Sequence, residues 1–509
     1  MREKRVLVIG AGIGGLVAGL ELAARGIAVE ILERASTPGG KIRQTGPARI
    51  DGGPTVFTMR WVFDEIFAAA GARLEDHLTL QPLTILARHA WEDGSRLDLF
   101  ADIERSADAI GTFAGAREAQ GYRDFCERAR RVYRSLENPF IRSARPTPIG
   151  LVRATGIGGL GGLLSASPFA TLWSALGEHF RDPRLRQLFG RYATYVGSSP
   201  FRCPSTLMLI AHVEQDGVWT VDGGMHRVAR AIADLACAKG ATIRYDAHVA
   251  EIRMAQGRAC GVTLADGTRI DADAIVSNAD IAALSSGAFG PAATRAVPPQ
   301  ADAARSLSAV TWATVARCEG FPLVRHNVFF SGHYEREFDA IFHHGRVPEA
   351  PTVYICAQDR DDGAEPRASD RLLCLVNAPA TGDTTPFDRT EIEKCKARTI
   401  DLLRRCGLRI EMPPTETIAT GPADFERLFP KTGGALYGQA SHGWMASFKR
   451  PGATSRLPGL HLTGGSVHPG AGVPMAAISG RLAASSVLDQ FASTSRSPRT
   501  GTRGGMSTD

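Results

Sequence analysis

The chain has 509 residues, too many for one ordinary core, so two or three domains are expected, and its 44% hydrophobic and 22% charged content is that of a globular protein. The net charge of +6 is scattered, without the dense basic run that nucleic-acid binding requires, and no segment has the sustained apolar character of a membrane span. Nine cysteines without a C-x-x-C pair argue against a disulfide framework or a zinc site; with a first strand that begins almost at once and no signal peptide, a cytoplasmic protein is expected.

The first forty residues read as strand, glycine turn, helix, strand: Val6-Leu7-Val8-Ile9, Gly10-Ala11-Gly12-Ile13-Gly14-Gly15, a run continued by Leu16, Leu20 and Leu22, then Val29-Glu30-Ile31-Leu32-Glu33. In such a unit Gly10 allows the tight turn, Gly12 lets a pyrophosphate approach the backbone, and Gly15 lets the helix lie close to the sheet. Ile13 and Gly14 open the helix, whose N-terminus presents free N–H groups and a positive dipole end to the phosphates. Glu33, about 20 residues on, is placed to accept bonds from both ribose hydroxyls and to repel a 2′-phosphate, which leaves FAD or NAD and disfavours NADP.

Two more glycine loops follow. The stretch from Arg34 through Gly39-Gly40-Lys41 brings backbone N–H groups and positive side chains toward the phosphates or ribose, and Asp51-Gly52-Gly53-Pro54-Thr55 is a second turn of the same kind. A simple NAD dehydrogenase needs neither, so the larger dinucleotide, FAD, is favoured.

Trp61, Phe63, Ile66 and Phe67 predict a helix face ended by Gly71, Leu97 to Phe100 a short strand, and residues 105–136 one or two amphipathic helices. Residues 154–177 carry no charge and are dense in glycine. They read as a buried loop and core helix, or as a surface that dips into a bilayer with Trp173 at the interface. Gly223-Gly224-Met225 opens another α/β segment: a helix over 226–239, a hairpin around Asp266-Gly267, and a buried strand over 274–279. Its strands extend the dinucleotide sheet, with the Val249 backbone near the adenine. Farther on, 309–315, 353–356 and 372–377 read as strands of one sheet with a helix over 391–406 packed on it. His326, His333, His343 and His344 lack partners at ligand spacing, so no metal is expected.

The last ordered segment is a strand at 460–463, a glycine turn at Gly464-Gly465, the loop Ser466-Val467-His468-Pro469-Gly470-Ala471-Gly472-Val473-Pro474, and a helix from Met475 to Leu488 whose N-terminus suits the electron-rich pyrimidine ring of a reduced flavin. Residues 492–509, rich in Ser, Thr, Arg and Gly, read as a disordered tail. The fold class expected is therefore α/β: a Rossmann-like cofactor domain, discontinuous over 1–75, 218–297 and 455–491, and a mixed-sheet plus helical substrate domain over 76–217 and 298–454.

With both ends in hand, the chain resembles the carotenoid desaturases of the bacterial phytoene-desaturase type, within the FAD-dependent amine-oxidase-like superfamily. The carriers are the Gly10-x-Gly12-x-x-Gly15 unit with Glu33, Gly39-Gly40-Lys41, Asp51-x-Gly53-Pro54-Thr55, Gly223-Gly224-Met225 and the ending His468 to Pro474. That ending looks most like the C-3,4 desaturases of purple bacteria that act on hydroxyneurosporene or methoxyneurosporene in the spheroidene and spirilloxanthin routes. The chain departs from the superfamily in Gly465-Ser466, where an acidic residue is common after the glycine, and in Lys41, where Arg is.

The resemblance implies hydride transfer to flavin N5 from an apolar polyene, a tunnel opening toward a bilayer, peripheral association with the inner photosynthetic membrane, and reoxidation by oxygen or a quinone. The allylic position spreads developing charge, so alignment and exclusion of water matter more than a strong base. His468 and His212 can take a proton; His468 is the catalytic candidate carried forward, with a structural role as its alternative. Other readings on the same fold are a phytoene desaturase, a carotene isomerase, an amine oxidase, or a non-catalytic carrier of isoprenoid lipids.

Overall fold

The computed structural model describes residues 4–144, 146–148, 150, 169–360, 368–385 and 389–496. The opening unit forms as its pattern dictates. Strand β1 (Arg5–Ile9) is buried from its second residue, α1 (Ile13–Ala23) is buried on every side, and β2 (Ala28–Leu32) pairs in parallel with β1, Leu7 opposite Glu30. A helix apolar all round needs cover on all faces. The sheet covers one face of α1, the helix Val473–Arg496 packs on another, and His226–Ala238 on a third.

The parallel sheet has five strands in the order Thr242–Arg244, β2, β1, Ala274–Ser277, Leu460–Leu462. The carboxyl ends of strands from the beginning, middle and end of the sequence thus meet along one edge of the molecule. The hairpin at Asp266-Gly267 joins Arg258–Leu264 to Arg269–Asp271, and Val249–Ala255 completes that small antiparallel sheet.

A second, eight-stranded sheet carries the expected strands as Ser308–Glu319, Val353–Ala357 and Asp370–Ala378, joined by His326–Phe330, Ile85–Trp91, Arg96–Phe100, Arg409–Glu411 and Thr417–Thr420. It is antiparallel except where His326–Phe330 runs parallel to Ile85–Trp91. Helix Arg389–Arg405 buries Cys395, Leu402 and Leu403 against Trp312, Ile355 and Cys374 of this sheet. Phe125, Ala129 and Val132 of the helix Ala116–Leu136 pack into a separate cluster with Trp91 and Leu97.

Two expectations need correction. On α2 (Arg60–Ala69) Val62 joins Phe63, Ile66 and Phe67 on the buried face, whereas Trp61 packs against that cluster only half-buried, with the Arg142 guanidinium 4.0 Å from its ring centroid. The C-terminal helix begins at Val473 and runs to Arg496, so its last turn occupies the start of the segment expected as a tail; 497–509 lie outside the described residues. Most of 154–177 also lies outside them; in the part that is described, the half-buried Trp173 ring packs 4.7 Å from that of Phe201, with the Arg186 guanidinium 4.6 Å away on it. Among the described residues no helix is long and apolar enough to cross a membrane.

Candidate functional site

Ligands of open α/β sheets bind outside the carboxyl ends of the strands. Here a cavity of about 740 Å³ begins at that edge and continues to the eight-stranded sheet, so that both sheets line it. The structure brings Gly10, Gly12, Ile13, Gly14, Glu33, Arg34, Gly40, Lys41, Gly53, Pro54, Thr55, Val249, Gly465, Gly472, Val473, Pro474 and Met475 together around it. Gly15 is the exception. A Cβ there would run into the Gly10 carbonyl oxygen and lie 3.2 Å from Val8 Cγ1, so its work is to close the helix onto the strand rather than to touch a ligand.

The cradle fits a pyrophosphate. Gly10 turns at φ +94°, a region that disfavours L side chains. Gly12 is the N-cap of α1 without a capping side chain, so first-turn N–H groups at the positive end of the helix are free for an anion. A Cβ on Gly12 would lie 2.6 Å from Asn278 Nδ2, and one on Gly14 2.6 Å from Thr463 Oγ1, which keeps the approach narrow and unobstructed. The Gly39 N–H donates to the Ala11 carbonyl at 2.8 Å and fastens the second glycine loop beside the first.

Glu33 is fixed by backbone groups: its carboxylate accepts from the Ala11 N–H at 2.7 Å and the Ala35 N–H at 2.8 Å. Each oxygen has two lone pairs, so capacity for ribose hydroxyls is left. The two cations of the loop, both in the lining, are also bonded to carbonyls of the chain. Lys41 Nζ donates to the Leu436 carbonyl at 2.6 Å, and burial lowers its pKa, with Asp280 opposing and Arg450 adding to the shift. The Arg34 guanidinium donates to the carbonyls of Arg427 at 2.8 Å and Leu428 at 2.5 Å, at the end of the helix Pro422–Leu428.

Asp51 unites two sequence motifs. Its Oδ2 accepts from the Met225 N–H at 2.7 Å, and a Cβ on Gly224 would meet that oxygen at 2.5 Å. Its backbone exchanges two 3.0 Å hydrogen bonds with the Gln358 amide, tying the turn to the second sheet. Burial raises the Asp51 pKa against the backbone bonds that hold the charge.

Sequence reasoning missed Asn278, Asp280 and Arg450, which also line the cavity. The first two follow the strand Ala274–Ser277, so their place past the carboxyl end of a parallel strand was the available signal. Arg450 carried none. It binds the carbonyls of Gly465 at 3.0 Å and Gln439 at 2.8 Å, and burial pushes its pKa down to about 10, Asp280 opposing.

The two histidines weighed as proton acceptors stand outside the lining. His468 Nε2 is hydrogen-bonded to the Phe140 carbonyl at 2.9 Å, which requires the proton on Nε2, and burial brings its pKa to about 4. It positions Phe140, which does line the cavity. His212 packs edge-on to Tyr133 at 4.8 Å. The other histidines do not gather: His326 is buried beside Tyr354, whereas His343 and His344 share Asp339 at the surface.

Beyond the cradle the lining turns apolar, with Leu136, Phe140, Leu207, Ile210, Val213 and Phe448. Within it sits one polar group that the sequence did not reveal. The Tyr192 and Tyr195 hydroxyls donate to the two oxygens of Glu214, each at 2.8 Å, and burial raises the Glu214 pKa against those bonds. Arg191 lies over the rings of Tyr195 and Tyr354. Tyr354 links Thr55, at 2.7 Å, to His326 Nδ1, at 2.8 Å; burial pushes the His326 pKa down to about 3, so it is neutral.

A dinucleotide cradle that opens without interruption into an apolar chamber defines a flavin-dependent oxidoreductase whose organic substrate meets the cofactor in a shared cavity. The known proteins agree. A match to the family of flavin containing amine oxidoreductases runs over residues 13–488. The chain is 57% identical to the hydroxyneurosporene desaturase of Rubrivivax gelatinosus, over 100% of this chain and 98% of that one, and 47% identical to that of Cereibacter sphaeroides, over 97% and 99%. In fold it is similar to an oxidoreductase from Methanosarcina mazei, with a TM-score of 0.59 at 17% identity over 95% of this chain and 100% of that one. The chain belongs to the flavin-containing amine oxidoreductase family, in its carotenoid-desaturase branch, and is an FAD-dependent oxidoreductase acting on a CH–CH group.

Proposed function

We propose that this protein introduces the C-3,4 double bond into an acyclic carotenoid of the 1-hydroxyneurosporene or 1-methoxyneurosporene type, in the spheroidene and spirilloxanthin routes. The observation that carries the reading is the single cavity in which an apolar chamber continues the dinucleotide cradle, in a chain 57% identical along its length to a hydroxyneurosporene desaturase. FAD, when bound, supplies the hydride acceptor at N5. The residues of the chain do the rest. Gly12, Gly14 and the first turn of α1 hold the pyrophosphate, and Glu33 holds the ribose. Leu136, Phe140, Ile210 and Phe448 align the polyene and exclude water, so that the departing hydride is not lost to solvent. One hydrogen leaves the allylic C-4 and the other leaves C-3; with neither His468 nor His212 in the lining, the proton passes to solvent at the chamber mouth or through the Tyr195–Glu214 pair.

The substrate would enter from a membrane surface, and oxygen or a quinone would take the electrons in reoxidation of the cofactor. Phe169, 77% exposed, and Trp444, 47% exposed, stack edge to face at 5.4 Å, and Trp444 also lines the cavity, an apolar pair suited to contact with lipid at the mouth. The division into a cofactor part over 1–75, 218–297 and 455–491 and a substrate part over the remainder accompanies this reading. The test is to supply phytoene, neurosporene, lycopene and 1-hydroxyneurosporene in turn to the FAD-loaded enzyme and identify the products. A new 3,4 double bond in the hydroxylated substrate is expected; conversion of phytoene and none of the others defeats the assignment.

A further inference from the structure

Arg191 is the unexplained charge of the chamber. Its guanidinium carbon lies 5.5 Å from the Tyr195 ring centroid and 5.1 Å from that of Tyr354, which stabilises the cation without using its N–H groups. Among the described residues it makes a single hydrogen bond, from Nη1 to the Tyr195 hydroxyl at 3.4 Å, and no carboxylate comes within ion-pairing distance. The hydroxyl of Tyr195 is itself turned to Glu214 at 2.8 Å. A guanidinium has five N–H donors, and leaving them without acceptors in an apolar chamber is costly. Such a side chain is placed to receive an oxygen from the ligand.

Its location says which oxygen. Tyr354, beneath Arg191, is hydrogen-bonded at 2.7 Å to Thr55, the residue that ends the Gly53-Pro54-Thr55 turn of the cofactor cradle. The donors therefore stand where the cradle meets the chamber rather than deep in its apolar part. In a C-3,4 desaturation the oxygen on C-1 is separated from the reacting bond by C-1 and C-2 alone, so whatever holds that oxygen must stand beside the flavin.

Resting on the C-3,4 reading above, we propose that Arg191, held in place by Tyr195 and Tyr354, is the specificity-determining contact for the C-1 oxygen of the substrate and thereby selects the terminal C-3,4 bond for reaction. A guanidinium only donates, so it accepts a hydroxyl or a methyl ether alike. A carotenoid without the oxygen leaves it unpaired and is disfavoured.

The experiment compares kcat/KM of the FAD-loaded wild type, Arg191→Met and Tyr354→Phe with 1-hydroxyneurosporene, 1-methoxyneurosporene and neurosporene. Flavin content is read from absorbance and folding from the melting temperature. The ratio of either oxygenated substrate over neurosporene is expected to fall about 10- to 100-fold in Arg191→Met, the loss of a charge-assisted hydrogen bond, with flavin content retained. In Tyr354→Phe, which keeps the ring under the guanidinium, a smaller fall is expected. A ratio unchanged in Arg191→Met, or a variant that loses its flavin, overturns the inference while leaving the proposed function standing. A wild type that forms no 3,4 double bond in either oxygenated substrate overturns both.

Discussion

Gly12 and Gly15 stand three positions apart in one turn and fail in different ways when given a side chain. At Gly12 the new Cβ would press on the amide of Asn278, a side chain that can turn away, so Gly12→Val is expected to yield a folded chain that has lost FAD. At Gly15 the obstacle is the Gly10 carbonyl, backbone inside the βα turn. Gly15→Val is therefore expected to lower stability by about 2 kcal/mol or more before any question of cofactor arises. Flavin absorbance per protein, set beside thermal melts of both variants, checks the pair; stoichiometric FAD in Gly12→Val would show that the cradle is elsewhere. Buried histidines give a second expectation at this scale. Burial holds His89 and His326 near pKa 3 and His468 near 4, below the ordinary 6.5. The unfolded chain then binds protons more tightly than the folded one, so the stability these neutral rings confer is full above about pH 6.5 and is lost as pH falls through their folded values. Glu214 and Glu337 act oppositely: burial raises their pKa values, and their contribution is full in acid and lost as pH rises. Melting curves between pH 4 and 7 are expected to show the acid loss, and His468→Asn to flatten it by roughly 1–3 kcal/mol; an acid limb identical to wild type counts against this origin.

At the level of elements, α1 holds the cofactor end of the molecule together because it is covered by helices as well as by the sheet. A Cβ on Gly480 of the C-terminal helix would lie 2.5 Å from the Gly14 carbonyl and 2.9 Å from Val17 Cβ, so the two helices touch backbone to backbone. Gly480→Val is expected to force them apart, costing about 1–3 kcal/mol and weakening FAD binding through the displaced first turn of α1. Equilibrium urea unfolding together with FAD titration measures both effects. Elements of this kind were legible in the sequence because their signals are local: the glycine spacing, the run Val6 to Ile9 and the position of Glu33 all fall within one βαβ unit. The C-terminal loop was legible for the same reason. What was not legible is how Lys41 and Arg34 are held, because the carbonyls that bind them, at Leu436, Arg427 and Leu428, belong to a segment remote in sequence whose arrival no local pattern announces.

For the whole molecule, the division between what could and could not be read follows the same rule. The cradle is mostly contiguous sequence, whereas the polar group around Arg191 needs Thr55, Tyr195, Glu214, His326 and Tyr354 to be folded into one place. No spacing in the chain encodes that assembly, and Arg191 itself sits in an unremarkable run of mixed residues. Because the cavity joins both sheets, occupancy by FAD is expected to stabilise the entire chain rather than one part of it. Saturating FAD should raise the unfolding free energy of an apo preparation by about 2.7 kcal/mol at a hundredfold excess over Kd, in a single transition. Two separated melts, with only one of them responding to FAD, would show that the sheets are energetically independent.

The edge strand Leu460–Leu462 and the helix that follows it have a bearing on how the protein is made. They complete a sheet begun at Arg5, yet they are made hundreds of residues after it. Until they do, strand Ala274–Ser277 has an open edge and α1 an uncovered apolar flank, held in waiting through the synthesis of hundreds of residues. Nascent chains are therefore exposed to misassociation over that whole interval, and flavin capture is expected to wait until Gly465 to Met475, which complete the cradle, have been made.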